Sequence, residues 1–257
     1  MPLVFSAIVP HSPLLIPQIG KEHTDALTQT VSALQEIETL LYAAKPDTLL
    51  IVSSHSPQAE DRFYMNLSQN YTTDFSQFGD FATNIFAPCD QEFILALKLR
   101  MEESGVAVQL ISDSKLDYGV GVPLFYFLGH LKDLKLVPLS QSGLDFASHV
   151  EYGQYIQKEV QKSNKRVAVV VSGDMAHSKD DPQKGEPFNQ ELLQAIKNCK
   201  ISKLTNMDAT LLGTASECIL KPLFVLQGLM NDLQCSPQVL SYEAPFGVGH
   251  MVVNHRL

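Results

Sequence analysis

Three apolar runs in this chain lead to a histidine, and they constrain the fold more than any other feature. Ile8-Val9-Pro10-His11-Ser12-Pro13 and Leu49-Leu50-Ile51-Val52-Ser53-Ser54-His55-Ser56-Pro57 have small or proline residues around the histidine. The β-branched run 166–171 continues through Ser172-Gly173-Asp174-Met175-Ala176 to His177. A short apolar run bounded by turn residues reads as a buried strand. A polar residue just past the C-terminal end of such a strand sits where open α/β sheets bind ligands. Two neighbouring strands would then present two imidazoles to one crevice, and neutral imidazole is the commonest side-chain metal ligand. The plainer alternative is that each histidine caps its strand and bonds to backbone. It carries less weight for two histidines at matched positions than for one.

Between the first two runs, residues 23–44 repeat apolar side chains at helical spacing: Leu27, Val31, Leu34, Ile37 and Leu41. Lys45-Pro46-Asp47 ends that helix. Strand, helix, strand is the unit of a parallel sheet. Further strands are expected at 106–111, 134–139, 238–242 and 247–254, and helices at 90–104, 145–163, 187–198 and 215–232. Residues 13–20 are too proline-rich for regular structure, and 201–211 read as a polar connection. Residues 58–90 are richer in aromatic and polar side chains, with a short strand at 63–67. The loop 77–81 reads as a lid or, more plainly, as part of a hairpin insertion packing its own small core. The expectation is one α/β domain spanning 1–257, three-layered, with a mixed or mostly parallel central sheet flanked by helices.

Composition narrows the function. The net charge is −9 and no Lys/Arg block occurs, which argues against nucleic acid and anionic membrane surfaces. No apolar run reaches transmembrane length. The N-terminus lacks the basic and apolar regions of a signal peptide, so a cytoplasmic location is expected. Cys89, Cys199, Cys218 and Cys235 are widely spaced and form neither a disulfide framework nor a structural zinc motif.

The candidate chemistry gathers at His11, His55 and His177, with Glu217 or Cys218, at the expected start of a late helix, as a fourth donor. Two histidines and a carboxylate with open positions suit non-haem Fe(II); zinc takes the same donors and thiolate as well. Asp174, close to His177 in sequence, can hold that imidazole's tautomer and raise its basicity for general-base work. His23, His130, His149, His250 and His255 read as solvated or structural.

These residues resemble a known family. Val9-Pro10-His11-Ser12-Pro13-Leu14-Leu15-Ile16-Pro17 is similar to the first metal motif of class III (LigB-type) extradiol ring-cleavage dioxygenases, and Ser53-Ser54-His55-Ser56-Pro57 to the second. Ser172-Gly173-Asp174-Met175-Ala176-His177 resembles the segment that carries the acid–base histidine. The stretch Tyr242-Glu243-Ala244-Pro245-Phe246-Gly247-Val248-Gly249-His250 resembles the closing segment of the branch related to Memo proteins. The resemblance implies a mononuclear Fe(II) site with His11 and His55 as ligands and His177 as base. It further implies a catecholic or related aromatic substrate cleaved with O2, by a chain acting alone or as a homo-oligomer. The dioxygenases place a Glu third ligand at the head of a late helix, which points to Glu217. Memo-like relatives place a Cys there, which points to Cys218 and to zinc, copper or a redox role. At Asp117-Tyr118-Gly119 the dioxygenases tend to have Asp-His-Gly. Tyr118 can donate a hydrogen bond there but cannot take up a proton at neutral pH. The leading expectation is an extradiol dioxygenase. The alternatives are a Memo-like metal-binding redox or partner-binding protein without ring cleavage, and a metal-dependent hydrolase.

Overall fold

A computed structural model describes residues 2–257 other than Lys132, Asp232 and Cys235. Cys235 therefore lies outside the described residues. The strands are β1 (Leu3–Val9), β2 (Thr48–Ser53), β3 (Phe63–Asn66), β4 (Asn70–Phe75), β5 (Asp80–Pro88), β6 (Val108–Ile111), β7 (Lys135–Ser140), β8 (Val167–Ser172), β9 (Ser236–Glu243) and β10 (His250–Arg256). The helices are α1 (Pro17–Gly20), α2 (Thr28–Ala44), α3 (Gln91–Glu103), α4 (Tyr118–Phe127), α5 (Phe146–Lys162), α6 (Pro182–Lys197), α7 (Ala209–Ala215) and α8 (Leu220–Leu229).

Eight strands form one sheet in the order β6-β3-β7-β2-β8-β1-β10-β9. The central four, β7, β2, β8 and β1, are parallel, while β10 and β9 add antiparallel at one edge. Residues of β2 and β8 are buried along their whole length, as expected of strands covered on both faces. Helices α2 and α4 pack together and against β1, β2, β8 and β10. Helices α3, α5 and α8 contact one another or strands β2, β3, β7 and β8. This is the expected α/β architecture, a mostly parallel central sheet flanked by helices. Among the described residues no single helix is long and apolar enough to cross a membrane.

Register decides where the ligand-bearing residues fall. Val9 and Ser53 both pair with Ser172 on the intervening strand β8. His11, His55 and Asp174 are each two residues beyond that row, so three adjacent strands release them at one level of the sheet's edge.

Several boundaries differ from the sequence reading. The helix expected at 23–44 is regular only from Thr28; residues Lys21–Leu27 form a 3-10 turn. Residues 58–90 contain an antiparallel hairpin, β4–β5, outside the main sheet, with Tyr71 and Phe75 fully buried beneath it. The hairpin insertion is present, but it has no separate core: Tyr71 and Phe75 join the main hydrophobic core, and the hairpin packs against α4 and β7. Its turn still reaches the sheet's edge, where the Phe78 ring lies edge-on to Tyr118 with centroids 5.2 Å apart. The helix expected at 215–232 begins only at Leu220. The reason is local: Ser216 adopts a left-handed φ of 48°, and the Glu217 carboxylate caps the helix from outside it.

Candidate metal centre

His11, His55 and Cys218 are the only described group of three or more His, Cys, Asp or Glu residues whose donor atoms lie within 4.8 Å of one another. His11 Nε2 stands 3.1 Å from His55 Nε2 and 3.4 Å from Cys218 Sγ. A tetrahedral metal with bonds of about 2.0–2.1 Å to nitrogen and about 2.3 Å to sulfur has edges only a few tenths of an ångström longer than these. These two spacings and the donor types thus fit one transition metal. His11 is buried, Cys218 half-buried and His55 exposed, so the cluster is approached from the His55 side. The phenol of Tyr118 also meets His55 Nε2, at 2.9 Å.

Each donor is positioned by a short local device. The backbone N–H of His11 donates to Asp174 Oδ1 at 3.1 Å, which fixes the turn after β1. The loop carrying His55 is tied to the start of α4 by Asp117. That carboxylate accepts from Ser53 Oγ at 2.8 Å, from Ser56 Oγ at 2.7 Å and from the Val120 N–H that it caps. Because Tyr118 follows Asp117, the same carboxylate sets Tyr118 against His55. Cys218 is held by the backbone N–H of Asp174, 3.2 Å from its Sγ.

Glu217 does not join the cluster. Its Oε2 accepts the N–H groups of Ile219 at 2.6 Å and Leu220 at 2.7 Å, the orphan donors at the head of α8. Burial pushes its carboxyl above the usual range, opposed by those hydrogen bonds. Of the two residues the sequence left competing for the third position, Cys218 lies with the histidines and Glu217 holds the helix that follows.

Asp174 is the electrostatic hub. It is buried, with His177 Nε2 at 3.7 Å and His250 Nδ1 at 3.3 Å. Burial alone raises its carboxyl, but the imidazoles of His11 and His250, the hydrogen bond from His250 and the nearby His177 ring hold it well below the usual carboxylate range. His11 has its pKa lowered to about 4 by burial, against the opposing pull of Asp174; it is neutral at pH 7 with a lone pair to offer. Burial also lowers the His55 pKa, opposed by Asp117. Cys218 is pushed up to about 12 by burial and by Asp174, so without a metal it is a thiol. Burial and Cys218 push Tyr118 up to about 12, leaving it a neutral phenol.

His250 reads from sequence as solvated or structural, yet it reaches the hub. It is the first residue of β10, which runs antiparallel to β1. A residue that opens an antiparallel strand reaches the same edge of the sheet as one that follows a parallel strand. That rule, applied to Gly247-Val248-Gly249-His250, would have found it. The other buried histidines remain structural: His149 bonds to Asp145 O and Ser142 N, and His255 to Ser6 Oγ.

A family model described as the catalytic LigB subunit of aromatic ring-opening dioxygenase matches residues 6–253. The chain belongs to the LigB family. LigB membership agrees with the strand-end motifs from which a family likeness was expected. Among curated proteins, Protein CA_C1420 of Clostridium acetobutylicum is 24% identical over 261 residues, covering 96% of this chain and 56% of the relative. This LigB chain thus spans about half the length of that relative. The solved structure of uncharacterized protein JW3007 from Escherichia coli K12 aligns with a TM-score of 0.71 at 14% identity, over 98% of this chain and 99% of that one. That likeness is one of fold.

Proposed function

We propose that this LigB protein binds one transition metal through His11, His55 and Cys218 and serves a redox role of the Memo-like kind rather than extradiol ring cleavage. One observation carries the reading: the thiol of Cys218 meets His11 Nε2 at 3.4 Å, while the Glu217 carboxylate is spent on the backbone of α8. On this reading Glu217 does not complete an all-hard His/His/carboxylate triad suited to Fe(II) and oxygen, and a thiolate with two imidazoles selects zinc or copper before iron. A bound metal would supply Lewis acidity or, if it is copper or iron, one-electron chemistry. The chain's own groups orient and move protons around it. Asp174 stays ionised and keeps the His11 turn in place. His177, half-buried beside it, can hold a proton at Nε2 and deliver it to a bound molecule. Tyr118 presents a neutral hydroxyl beside His55.

Ring cleavage of a small aromatic substrate with O2 is the second reading. It is supported by the Asp174–His177 pair, an acid–base arrangement next to the donors, and by the family's description. Metal analysis of protein purified without air, together with catechol-dependent oxygen uptake, separates the two. We expect zinc or copper bound at one ion per chain, lost in Cys218→Ser and kept in Glu217→Ala, with no oxygen uptake. Bound iron lost in Glu217→Ala, together with oxygen uptake in the parent, establishes the dioxygenase instead.

A further inference from the structure

Two hydrogen bonds through Ser172 link helix α4 to the ring of His11. Within α4, Pro123 lies four residues after Gly119. The carbonyl of residue i in an α-helix accepts from the N–H of residue i+4, and proline has no N–H. Gly119 is thus denied its regular helical donor. The hydroxyl of Ser172, the fully buried last residue of β8, donates to the Gly119 carbonyl instead. Gly119 also leaves room for the residues around His11 because it has no side chain: a Cβ there would stand 2.8 Å from Asp117 Oδ1 and 3.3 Å from His11 Nδ1.

A serine hydroxyl has one proton and two lone pairs. With its proton committed to Gly119, Ser172 Oγ can meet His11 Nδ1, 3.1 Å away, only as an acceptor. The ring nitrogen in that contact must be the donor. We propose that Ser172, with its proton claimed by the carbonyl that Pro123 leaves open, fixes His11 in the tautomer protonated on Nδ1 and so turns the Nε2 lone pair toward His55 and Cys218. Ser172 is then a positioning residue acting through His11. Neutral histidine in water distributes its proton over both nitrogens, and only one of the two forms offers Nε2 to a metal. The consequence for metal affinity rests on the metal-centre reading; the tautomer itself does not.

The two parts are tested separately. In 15N-labelled, metal-free protein at pH 8, long-range 1H–15N spectra report which nitrogen of each histidine carries the proton, and His11 is assigned by its absence in His11→Gln. We expect His11 protonated on Nδ1. Pro123→Ala returns an N–H to α4 that competes with Ser172 for the Gly119 carbonyl, and is expected to raise the share of the other His11 tautomer. In zinc titrations, Ser172→Ala is expected to weaken binding by about 10–100-fold, whereas Ser172→Thr, which keeps the hydroxyl, binds close to the parent. A proton on Nε2 in the parent overturns the proposal, and so does a Ser172→Ala protein with the parent's tautomer and affinity. If the parent binds no zinc or copper, the metal-centre reading fails while the spectrum still decides the role of Ser172.

Discussion

His11 and Asp174 stand side by side because Val9 and Ser172, two residues before each, are register partners on adjacent parallel strands. The His11 N–H to Asp174 Oδ1 bond, 3.1 Å long, continues that pairing beyond the sheet. A contact 163 residues apart in sequence is thereby fixed by the same ladder that builds the core. The donor cluster inherits its precision from the parallel strands, with Cys218 supplied by the turn before α8 and Tyr118 by the start of α4.

Asp174 is expected to stabilise the fold as well as order the site. Its Oδ1 alone serves the His11 N–H and His250 Nδ1. Each buried donor left unsatisfied costs about 1–3 kcal/mol. Asp174→Ala should therefore lower the unfolding free energy by roughly 2–6 kcal/mol, and Asp174→Asn, which keeps an acceptor, by less. Urea unfolding of the metal-free proteins reads this directly. An Asp174→Ala midpoint equal to the parent's would remove Asp174 from its place as hub.

Much of this arrangement was legible in the chain. The apolar runs before His11 and His55 are the central strands β1 and β2, and the pairing of His177 with Asp174 follows from their three-residue spacing across a strand end. Other parts were hidden for identifiable reasons. Helix α4 carries glycines and a proline in an almost wholly apolar stretch, so neither helical spacing nor strand alternation marks it. Glu217 and Cys218 are adjacent, and sequence cannot say which one turns to a backbone cap and which to the histidines. That choice depends on the left-handed turn at Ser216. His250 was hidden because it begins its strand instead of following it.

Gly119 is a second point of sensitivity. A Cβ there would force Ser53 Oγ and Asp117 Oδ1 to shift and would press on His11 Nδ1, 3.3 Å away. Gly119→Ala should cost about 1–3 kcal/mol through overpacking. It should also displace the His11 ring and lower bound metal below one ion per chain. Gly129, past the other end of α4, whose Cβ would meet nothing within 4 Å, is the control: Gly129→Ala should leave metal content at the parent's value. Parent-like stability and metal content in Gly119→Ala would show that the loop relaxes around the methyl.

Acid stability should reveal the buried neutral histidines away from the site. His149 and His255 both have pKa values lowered to about 4, in each case mainly by burial. Unfolded, they take up a proton near pH 6.5. Between those values the unfolded chain binds more protons, so stability rises with pH. Their contribution is complete above about pH 6.5 and is lost as the pH falls toward 4, by at most about 3 kcal/mol for each histidine. Urea midpoints measured from pH 8 to pH 4 should fall along this window. His255→Gln should flatten the slope even if it lowers the whole curve; an unchanged slope would mean that His255 is protonated in the folded protein.

Metal binding should release one proton, and the count identifies the third ligand. Burial and Asp174 push the Cys218 thiol up to about 12, so at neutral pH it must lose its proton to coordinate a metal. His11, with a pKa of about 4, is already neutral and releases none. Apparent affinity should therefore rise about tenfold per pH unit between roughly pH 7 and 9, where His55 too is deprotonated. Titrations with zinc in two buffers of different ionisation enthalpy give the proton count independently of the affinity. Cys218→Ser should abolish most of the release together with the tight binding, whereas Glu217→Ala should preserve both. A parent protein that binds zinc without proton release in this range would exclude Cys218 thiolate as the ligand and return the third position to a carboxylate.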